Sequence, residues 1–371
     1  HRLNYTRIYP GALIEREGDF IPDNTLAPRD GQHILPWARS STPGYALGGN
    51  KFDLDTWDEA YFARLQDFIE QAAQREIVIE ICFFNCQNGK NWHLQAFHAE
   101  SNIQGAATCG FLDFQTLHDA ALVRYQSAYV AEIVRRVNAY DNVILEICDE
   151  PGLLGTPAQD YHAWISHLID VVRQTELPLP NKHLIAQQVC GTLGGLGDFS
   201  QDERVGLIVG QYILSEAGSQ FGGMQLLETE YDHNKPIELN ESAYYPVWYT
   251  EDREAASRVE AWEFIIGGGA GYNHLNGVFT IFNPEGRDHN NAKVLKALTH
   301  LRNFIESFAF ICMSRDTTSL TWNAPDDAHY QCLSEIGNQY AVYLHRAVHR
   351  VNLYVVHPGL YQDTITLDLP S

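Results

Sequence analysis

No stretch of the sequence approaches the ~18 consecutive apolar residues that a membrane-spanning helix needs. Basic clusters are also lacking, because 25 lysines and arginines are scattered among 47 acidic residues and the formal net charge is −22. Binding to nucleic acid or to an anionic membrane surface depends on clustered lysine and arginine. The sequence therefore predicts neither a nucleic acid nor a membrane as partner. A neutral substrate is the simplest expectation, since an anionic polymer would need a local basic patch.

The paired cysteine and histidine spacings of structural metal sites are also missing. The seven cysteines are an odd number, and Cys82 and Cys148 lie within apolar runs, where a small buried residue is the ordinary interpretation. This usage does not determine whether the protein occupies a reducing or an oxidising compartment. A secreted or periplasmic location is expected, and no metal or cofactor is predicted.

Short apolar runs rich in valine, isoleucine and aromatic residues alternate with longer amphipathic segments along most of the chain. This alternation is typical of β/α units around a parallel sheet. The predicted strands cover residues 3–9, 77–84, 142–148, 183–189, 207–214, 236–240 and 271–279. The predicted helices cover residues 53–75, 117–139, 159–175, 255–266 and 293–308. Long loops are predicted at residues 11–50 and 85–113.

These elements favour a (β/α)8 TIM barrel. An open doubly wound sheet is the alternative, but no glycine-rich phosphate-binding turn follows the first strand. Seven strands are one short of a complete barrel, and we expect the first strand to precede residue 1. After about residue 315, short alternating runs predict a small, incomplete antiparallel β-domain. The expected domains are a catalytic barrel over 1–312 and a β-domain over 313–371.

The chemistry of (β/α)8 enzymes takes place at the carboxyl ends of the strands. Here these ends carry Arg7, Tyr9, Asn85, Asp149, Glu150, Gln211, Tyr212, Asn240, Glu241, Asn273 and His274. Glu150 and Glu241 follow strands three apart in sequence order and are expected to face one mouth of the barrel. Glycoside hydrolysis uses such a pair: one carboxyl protonates the leaving oxygen, and in retaining enzymes the other attacks from about 5–5.5 Å away. The acid needs a raised pKa, which partial burial and a neighbouring carboxylate both favour.

Several segments resemble the clan A glycoside hydrolases, particularly the cellulase-like family 5 group. Asn142–Pro151 resembles their fourth-strand Asn-Glu-Pro motif, and Lys235–Glu241 resembles their seventh-strand motif. Leu3–Arg7 is similar to their second-strand motif with its active-site arginine, and Gln211-Tyr212 to a sixth-strand position where a tyrosine contacts the nucleophile. Residues 262–279 and the β-domain after them look like apiosidase-like hydrolases with a collagen-binding-like tail.

The resemblance implies retaining hydrolysis of a β-linked oligo- or polysaccharide. It implies Glu150 as the acid/base, Glu241 as the nucleophile and Arg7 as the partner that keeps the nucleophile ionised. The expected substrate-binding residues are Arg7, Asn85, Trp92, Asp149, Tyr212 and His274. For the eighth-strand tryptophan of many relatives, Tyr272 or His274 is the expected replacement.

Asp149 departs from the family pattern, which has asparagine at this position. That asparagine donates hydrogen bonds to the sugar 2-hydroxyl and to the nucleophile, whereas an ionised aspartate only accepts them. Asp149 is therefore protonated, or paired with a cation, or placed against an unusual substrate. Glu80, Glu146 and Glu238 lie within strands, and buried carboxylates are rare unless paired. We expect these three to bond inside the barrel and to orient other side chains.

Other interpretations of the same residues remain open. Glu150, next to Pro151, would also suit the start of a helix. Glu241 could be an ordinary acidic residue in a loop. Arg7 could form an ordinary structural ion pair. A histidine pair on a preceding strand would allow a metal-dependent barrel hydrolase. The second functional hypothesis is a glycan-binding barrel without activity. The aspartate at 149 supports that hypothesis, and the two intact glutamates oppose it.

Overall fold

The computed structural model describes residues 2–14, 30–85, 89–189, 199–211, 213–214, 220–221, 223–241, 253–274, 289–350 and 353–368. In chain order its strands are β1 (Tyr5–Ile8), β2 (Trp37–Pro43), β3 (Asn50–Trp57), β4 (Val78–Asn85), β5 (Val143–Asp149), β6 (Leu184–Gln188), β7 (Leu207–Gln211), β8 (Ile213–Leu214), β9 (Gln220–Phe221), β10 (Ile237–Glu241), β11 (Gly271–Tyr272), β12 (Ser314–Arg315), β13 (Leu320–Trp322), β14 (Ala328–Glu335), β15 (Gln339–Arg350), β16 (Leu353–Val356) and β17 (Ile365–Leu367). Its α-helices are α1 (Glu59–Ala73), α2 (Ala120–Val137), α3 (Ala158–Glu176), α4 (Gly223–Glu230), α5 (Arg253–Ile266) and α6 (His289–Ile305).

Seven strands form one sheet in the order β1-β4-β5-β6-β7-β10-β11. The pairs β1–β4, β4–β5 and β5–β6 are parallel, and so are β7–β10 and β10–β11. Each of the seven lies within or overlaps a predicted strand, which confirms the β/α reading of the sequence. Over the residues that the structure describes, the sheet with its helices fits a (β/α)8 barrel that lacks one strand, and a small antiparallel region follows it.

The chain divides into two compact units, and the first comprises Asn4–Thr192 and Asp202–Gly206. Its helices α1 and α2 begin at aspartate caps: the side chains of Asp58 and Asp119 accept hydrogen bonds from backbone N–H groups of the first turn. In α1 the buried residues recur at helical spacing, with Phe62, Leu65 and Ile69 on one face. Helices α1 and α3 pack on β4 and β5, and so fix where those two strands end.

The hairpin formed by β2 and β3 corrects the sequence prediction. Residues 11–50 were expected to be a loop and residues 53–75 a helix, but β2 and β3 pair antiparallel and α1 begins only at Glu59. Phe52 and Leu54 are both buried, as expected for alternate residues of a strand. The error arose because Leu54 also fits the helical spacing of the apolar residues in α1. In the connecting turn, Gly44 and Gly48 adopt positive φ, which suits a tight reversal.

The second unit comprises His1–Leu3, Leu193–Gln201 and Leu207–Ser371. Helix α4, which the sequence analysis did not predict, packs against β7 and β10. Glycine at 210 allows this close contact, because a Cβ atom there would lie 2.1 Å from Leu226 Cδ2 and would force that buried side chain to shift. Among the residues described in either unit, no helix is long and apolar enough to cross a membrane.

Strands β8 and β9 of the second unit form an antiparallel pair. After residue 313 follow a four-stranded antiparallel sheet, β12-β14-β15-β16, and a separate pair, β13–β17. All of these later strands except β12 lie in the region after residue 315 where short alternating runs were predicted. Helix α5 packs against β15 and β16, where Ala256 and Val259 contact Ala347 and Tyr354 in one buried cluster. This packing places the outer faces of α5 and α6 beside the antiparallel strands.

Candidate active site

Asn85 and Asp149 lie side by side at the carboxyl ends of β4 and β5, where they are register partners. Both side chains are buried, and Asn85 Nδ2 donates a hydrogen bond to Asp149 Oδ2. The hydroxyl of Tyr9 donates to the same oxygen at 2.8 Å. Two neutral donors therefore converge on one oxygen of the Asp149 carboxyl group.

Arg7 occupies the centre of a buried polar group in the first unit. Its Nε and Nη2 atoms donate to the two carboxylate oxygens of Glu146 at 2.7 and 2.6 Å. Its Nη2 atom also lies 3.0 Å from Asp149 Oδ1, and its Nε atom lies 3.7 Å from Glu80 Oε2. The hydroxyl of Tyr5 donates to Glu80 Oε2 at 2.6 Å. The expectation that Glu80 and Glu146 bond to other buried side chains is thus confirmed.

Within this group of four ionisable side chains, one guanidinium faces three carboxyls. Burial raises the pKa of Glu146 to about 8, with help from the charges of Glu80 and Asp149 and against the effect of Arg7. For Arg7, burial alone would lower the pKa, but Asp149 and Glu146 together raise it well above its ordinary value. Arg7 therefore stays charged, while the raised pKa of Glu146 favours the protonated form of that carboxyl at neutral pH.

Glu150 directly follows β5, is 5% exposed, and has a φ of +48°. This left-handed conformation costs a non-glycine residue about 1–3 kcal/mol, and such strained residues cluster at active sites. The backbone N–H of Glu150 donates to Gln188 Oε1, at the end of the neighbouring strand β6. Because α3 begins only at Ala158, Glu150 does not start a helix. The turn instead holds the carboxyl-bearing residue at the strand end.

In the second unit, Glu241 ends β10 and is 9% exposed. Its register partner is Gln211, at the end of β7, and the pairing is interrupted by a bulge between Leu239 and Glu241. Bulges of this kind redirect side chains and are common beside active sites. Asn240, the residue before Glu241, is fully buried. Glu241 is therefore part of a strand, which rules out the interpretation of a plain loop acid.

His274 lies just after β11, with its Nε2 atom 3.2 Å from Ser257 Oγ on α5. Burial lowers the pKa of His274 to about 4, so the ring is neutral at physiological pH. Its Nδ1 atom has no hydrogen-bond partner among the residues that the structure describes. The hydroxyl of the neighbouring Tyr272 donates to Glu260 Oε2 at 3.0 Å. A neutral histidine here suits hydrogen bonding to an uncharged ligand.

Trp92 belongs to a 3-10 helix, Gly89–Leu94, in the loop after β4, and its side chain is almost fully buried. Its Nε1 atom donates to the carbonyl of Cys109 at 3.0 Å, and its ring packs edge-on to Phe114. These contacts anchor the loop, and the role of Trp92 in sugar binding stays a prediction. Tyr212 lies outside the described residues.

Two contacts were not found by sequence reasoning: the bond from Glu150 to Gln188 and the bond from Tyr9 to Asp149. The sequence showed only that these residues lie at or near strand ends. It does not show which side chains meet across neighbouring strands. Among the described residues, no group of three or more histidine, cysteine, aspartate or glutamate side chains is arranged to hold a metal ion.

Comparison with known proteins gives structural neighbours but no sequence relatives. Neither a protein-family model nor a curated protein sequence matches the chain. A structure assigned as a glycoside hydrolase from Bacteroides vulgatus aligns at a TM-score of 0.58 and 16% identity, over 91% of this chain and 58% of that one. The endo-β-1,4-mannanase of Thermotoga petrophila aligns at a TM-score of 0.56 and 13% identity, over 95% of this chain and 84% of that one. At these identities the similarity establishes a shared fold, the barrel on which these hydrolases are built.

Proposed function

We propose that this protein is a retaining glycoside hydrolase that cleaves a β-linked oligo- or polysaccharide. Glu150 acts as the acid/base and Glu241 as the nucleophile. The observation that carries the proposal is the position of Glu150: a buried carboxyl in a left-handed turn at the end of β5, next to the buried network of Asp149 and Arg7. Nothing in the folding of a βα unit requires a strained glutamate at this point, whereas proton donation to a leaving group does require a fixed carboxyl.

In the first step, Glu150 protonates the glycosidic oxygen while Glu241 attacks the anomeric carbon and forms a covalent glycosyl ester. In the second step, Glu150 removes a proton from water, and the water displaces Glu241 from the sugar. This mechanism requires the two carboxyl groups to lie about 5–5.5 Å apart, whereas an inverting enzyme needs about 6.5–9.5 Å.

Asp149 fits this proposal as a cation-paired residue, one of the three possibilities that the sequence left open. Arg7 provides the cation at 3.0 Å, while Tyr9 and Asn85 donate to the other oxygen. An ionised carboxylate only accepts hydrogen bonds, so the sugar 2-hydroxyl would have to donate to it. This hydroxyl can either donate or accept a hydrogen bond. Aspartate in place of asparagine at position 149 therefore reverses the direction of the bond and is compatible with hydrolysis.

The decisive experiment is a hydrolysis screen of the purified protein on β-linked glycans. Because a solved neighbour is an endo-β-1,4-mannanase, β-mannan is the first substrate to test, followed by cellulose oligomers and an aryl glycoside panel. For any substrate that is cleaved, NMR spectra taken in the first minutes would show the β-anomer as the initial product. An initial α-anomer would show that the enzyme inverts the anomeric configuration and would contradict the retaining mechanism.

Matched controls are available for both glutamates. Glu76 also has a left-handed backbone, with a φ of +57°, but lies exposed after α1, so Glu76→Ala controls for Glu150→Ala. Glu228, exposed on α4, provides the corresponding control for Glu241→Ala. Full hydrolysis by Glu150→Ala and Glu241→Ala, or an equal loss in the two control variants, would show that activity does not depend specifically on the proposed pair. Binding of glycans without hydrolysis of any of them would favour the inactive glycan-binding barrel.

A further inference from the structure

A groove of about 940 Å³ lies within the second unit, between the outer faces of α5 and α6 and the antiparallel strands. Its lining is rich in both cationic and aromatic side chains. The strands that close it include β13 and the end of β15, which contribute Trp322 and Arg346. A groove of this size falls in the range of about 300–1,000 Å³ that is typical of small-ligand sites.

Helix α6 presents Lys293, Lys296 and His300 to the groove. These residues are spaced three and four apart, so that one helix face carries all of them. Helix α5 adds Arg258 from the opposite side. With Arg346, four lysine and arginine residues line the groove, against two carboxylates, Glu254 and Asp363. A local excess of positive charge in a chain of net charge −22 is the basic patch that the linear sequence does not show.

Two of these cations are already engaged, and two are available to a ligand. Lys293 Nζ lies 3.8 Å from Glu254, and Arg346 Nη1 donates to Asp327 at 2.9 Å. Within the described part of the chain, no carboxylate forms an ion pair with Arg258 or Lys296. Their ammonium and guanidinium groups are therefore free to bind an anion from solution.

The aromatic residues of the groove fall into two groups. Trp262 is packed between Phe304 and Tyr343, with ring centroids 5.2 and 5.5 Å away, so it forms part of the fixed wall. Trp322 on β13 is half-buried. Tyr361 is 43% exposed, with the Arg346 guanidinium 4.2 Å from its ring centroid, so the opposite face of this ring is the one open to a ligand. Ring faces of this kind stack against the apolar faces of sugar rings, in the same way that they bury other apolar surfaces.

We propose that this groove binds an anionic saccharide, a short stretch of a glycan whose carboxylate or sulfate groups pair with Arg258 and Lys296 and whose sugar rings pack on Trp322 and Tyr361. A neutral glycan would use the rings but would leave the two cations unpaired. A nucleic acid would need a longer basic track, and the negative charge on the rest of the protein would repel it. This inference stands apart from the proposed hydrolysis, because no residue of the groove belongs to the candidate active site.

The test is binding by isothermal titration of the whole protein with sodium polygalacturonate, with dextran sulfate as the sulfated counterpart and unsulfated dextran as the neutral one. Binding to at least one of the anionic polymers, weakening as salt is added, is expected, together with weak or no binding of dextran. The better-bound anionic polymer identifies carboxylate or sulfate as the preferred group. Equal affinity for unsulfated dextran, or an oligonucleotide bound as tightly as either saccharide, would overturn the proposal.

Variants locate the site without touching the candidate active site. Arg258→Gln and Lys296→Gln should each weaken anionic binding by about 3- to 10-fold, and the double variant by more than either. Trp322→Ala and, separately, Tyr361→Ala should weaken binding while leaving its salt dependence unchanged. The control is the pair Arg64→Gln and Arg75→Gln, two exposed arginines near α1 that change the net charge equally. Equal loss in this control, or no loss in the groove variants at unchanged melting temperature, would refute the site.

Discussion

Arg7 and Glu146 form a bidentate ion pair at 2.7 and 2.6 Å although their strands, β1 and β5, are separated by β4. Both side chains are almost completely buried, and Glu80 on the intervening strand lies 3.7 Å from the same guanidinium. A buried pair of this kind costs stability if one partner is removed, because the other is left uncompensated. Arg7 also contacts Asp149, so the buried group of Arg7, Glu80 and Glu146 fixes the position of Asp149 and supports the strand end next to Glu150.

The pKa of Glu146 makes the stability of this group depend on pH. The folded-state pKa of about 8 lies above the ordinary value of 4.5, so this carboxyl contributes full stability below about pH 4.5 and loses the contribution as the pH rises towards 8. Each unit of pKa corresponds to ~1.4 kcal/mol, so the loss between pH 5 and pH 9 should exceed ~2 kcal/mol.

Glu146→Gln should flatten this part of the profile, because the amide does not titrate. Urea unfolding at pH 5, 7 and 9 would measure the difference, with Glu100→Gln, an exposed residue, as the control. Parallel curves for wild type and Glu146→Gln would show that Glu146 does not titrate in this range.

The two catalytic candidates should give distinct kinetic signatures. Glu150→Ala removes the proton donor, so unactivated glycosides should lose about 10²–10⁴-fold in rate while aryl glycosides with acidic phenols are nearly spared in the first step. Glu241→Ala removes the nucleophile, so both substrates should fail, and azide should restore cleavage of the activated one with an inverted glycosyl azide as product. Steady-state kinetics of both variants on one activated and one unactivated glycoside would measure these losses. Equal losses on both substrates for Glu150→Ala would contradict its role as the acid.

Gly210 and Leu226 should be thermodynamically coupled. A Cβ atom at 210 would meet Leu226 Cδ2 at 2.1 Å, so Gly210→Ala should destabilise the protein by about 1–3 kcal/mol through overpacking. Leu226→Ala alone should cost about 2–5 kcal/mol, because it leaves a cavity. The double variant should cost clearly less than the sum, since the new methyl group occupies part of that cavity. Strict additivity in chemical unfolding would argue against the contact.

Tyr354 and Glu263 connect β16 to α5 in a buried cluster, and His345 lies 3.2 Å from the same carboxylate. Burial acts to raise the pKa of Glu263, but the nearby His345 and the hydrogen bond from Tyr354 outweigh it and lower the pKa below its ordinary value. A depressed pKa contributes stability above about pH 4.5 that is lost as the pH falls through the folded-state value.

Tyr354→Phe should therefore cost about 1.5–3 kcal/mol at pH 7, the range for a hydrogen bond to a charged group, and less in acid. Thermal unfolding at pH 7 and pH 3 would measure this, with Tyr361→Phe, an exposed tyrosine, as the control. A larger cost at pH 3 than at pH 7 would reverse the assigned sign.

Much of the fold and the strand-end residues could be predicted because their signals are local. Continuous β-branched runs such as 77–84 have no solvent-facing side, and parallel strands bring their carboxyl ends to one edge whatever the loops do. The hairpin β2–β3 was missed because Leu54 satisfies strand and helix spacings equally well. The pairing of Arg7 with Glu146 was not predictable, because strand order and register determine which residues meet across β4.

The sequence by itself determined the β/α alternation, the antiparallel strands after residue 315, and the placement of Glu150 and Glu241 at strand ends. These features follow from hydrophobic period and from residues adjacent in the chain. Only the tertiary structure decided that Asp149 is paired with a cation and that Glu150 adopts a left-handed backbone. It also assembled Arg258 on α5 and Lys296 on α6 into one basic groove. Electrostatic interactions act through space, so a chain without a basic run can still present a basic surface once its helices pack together.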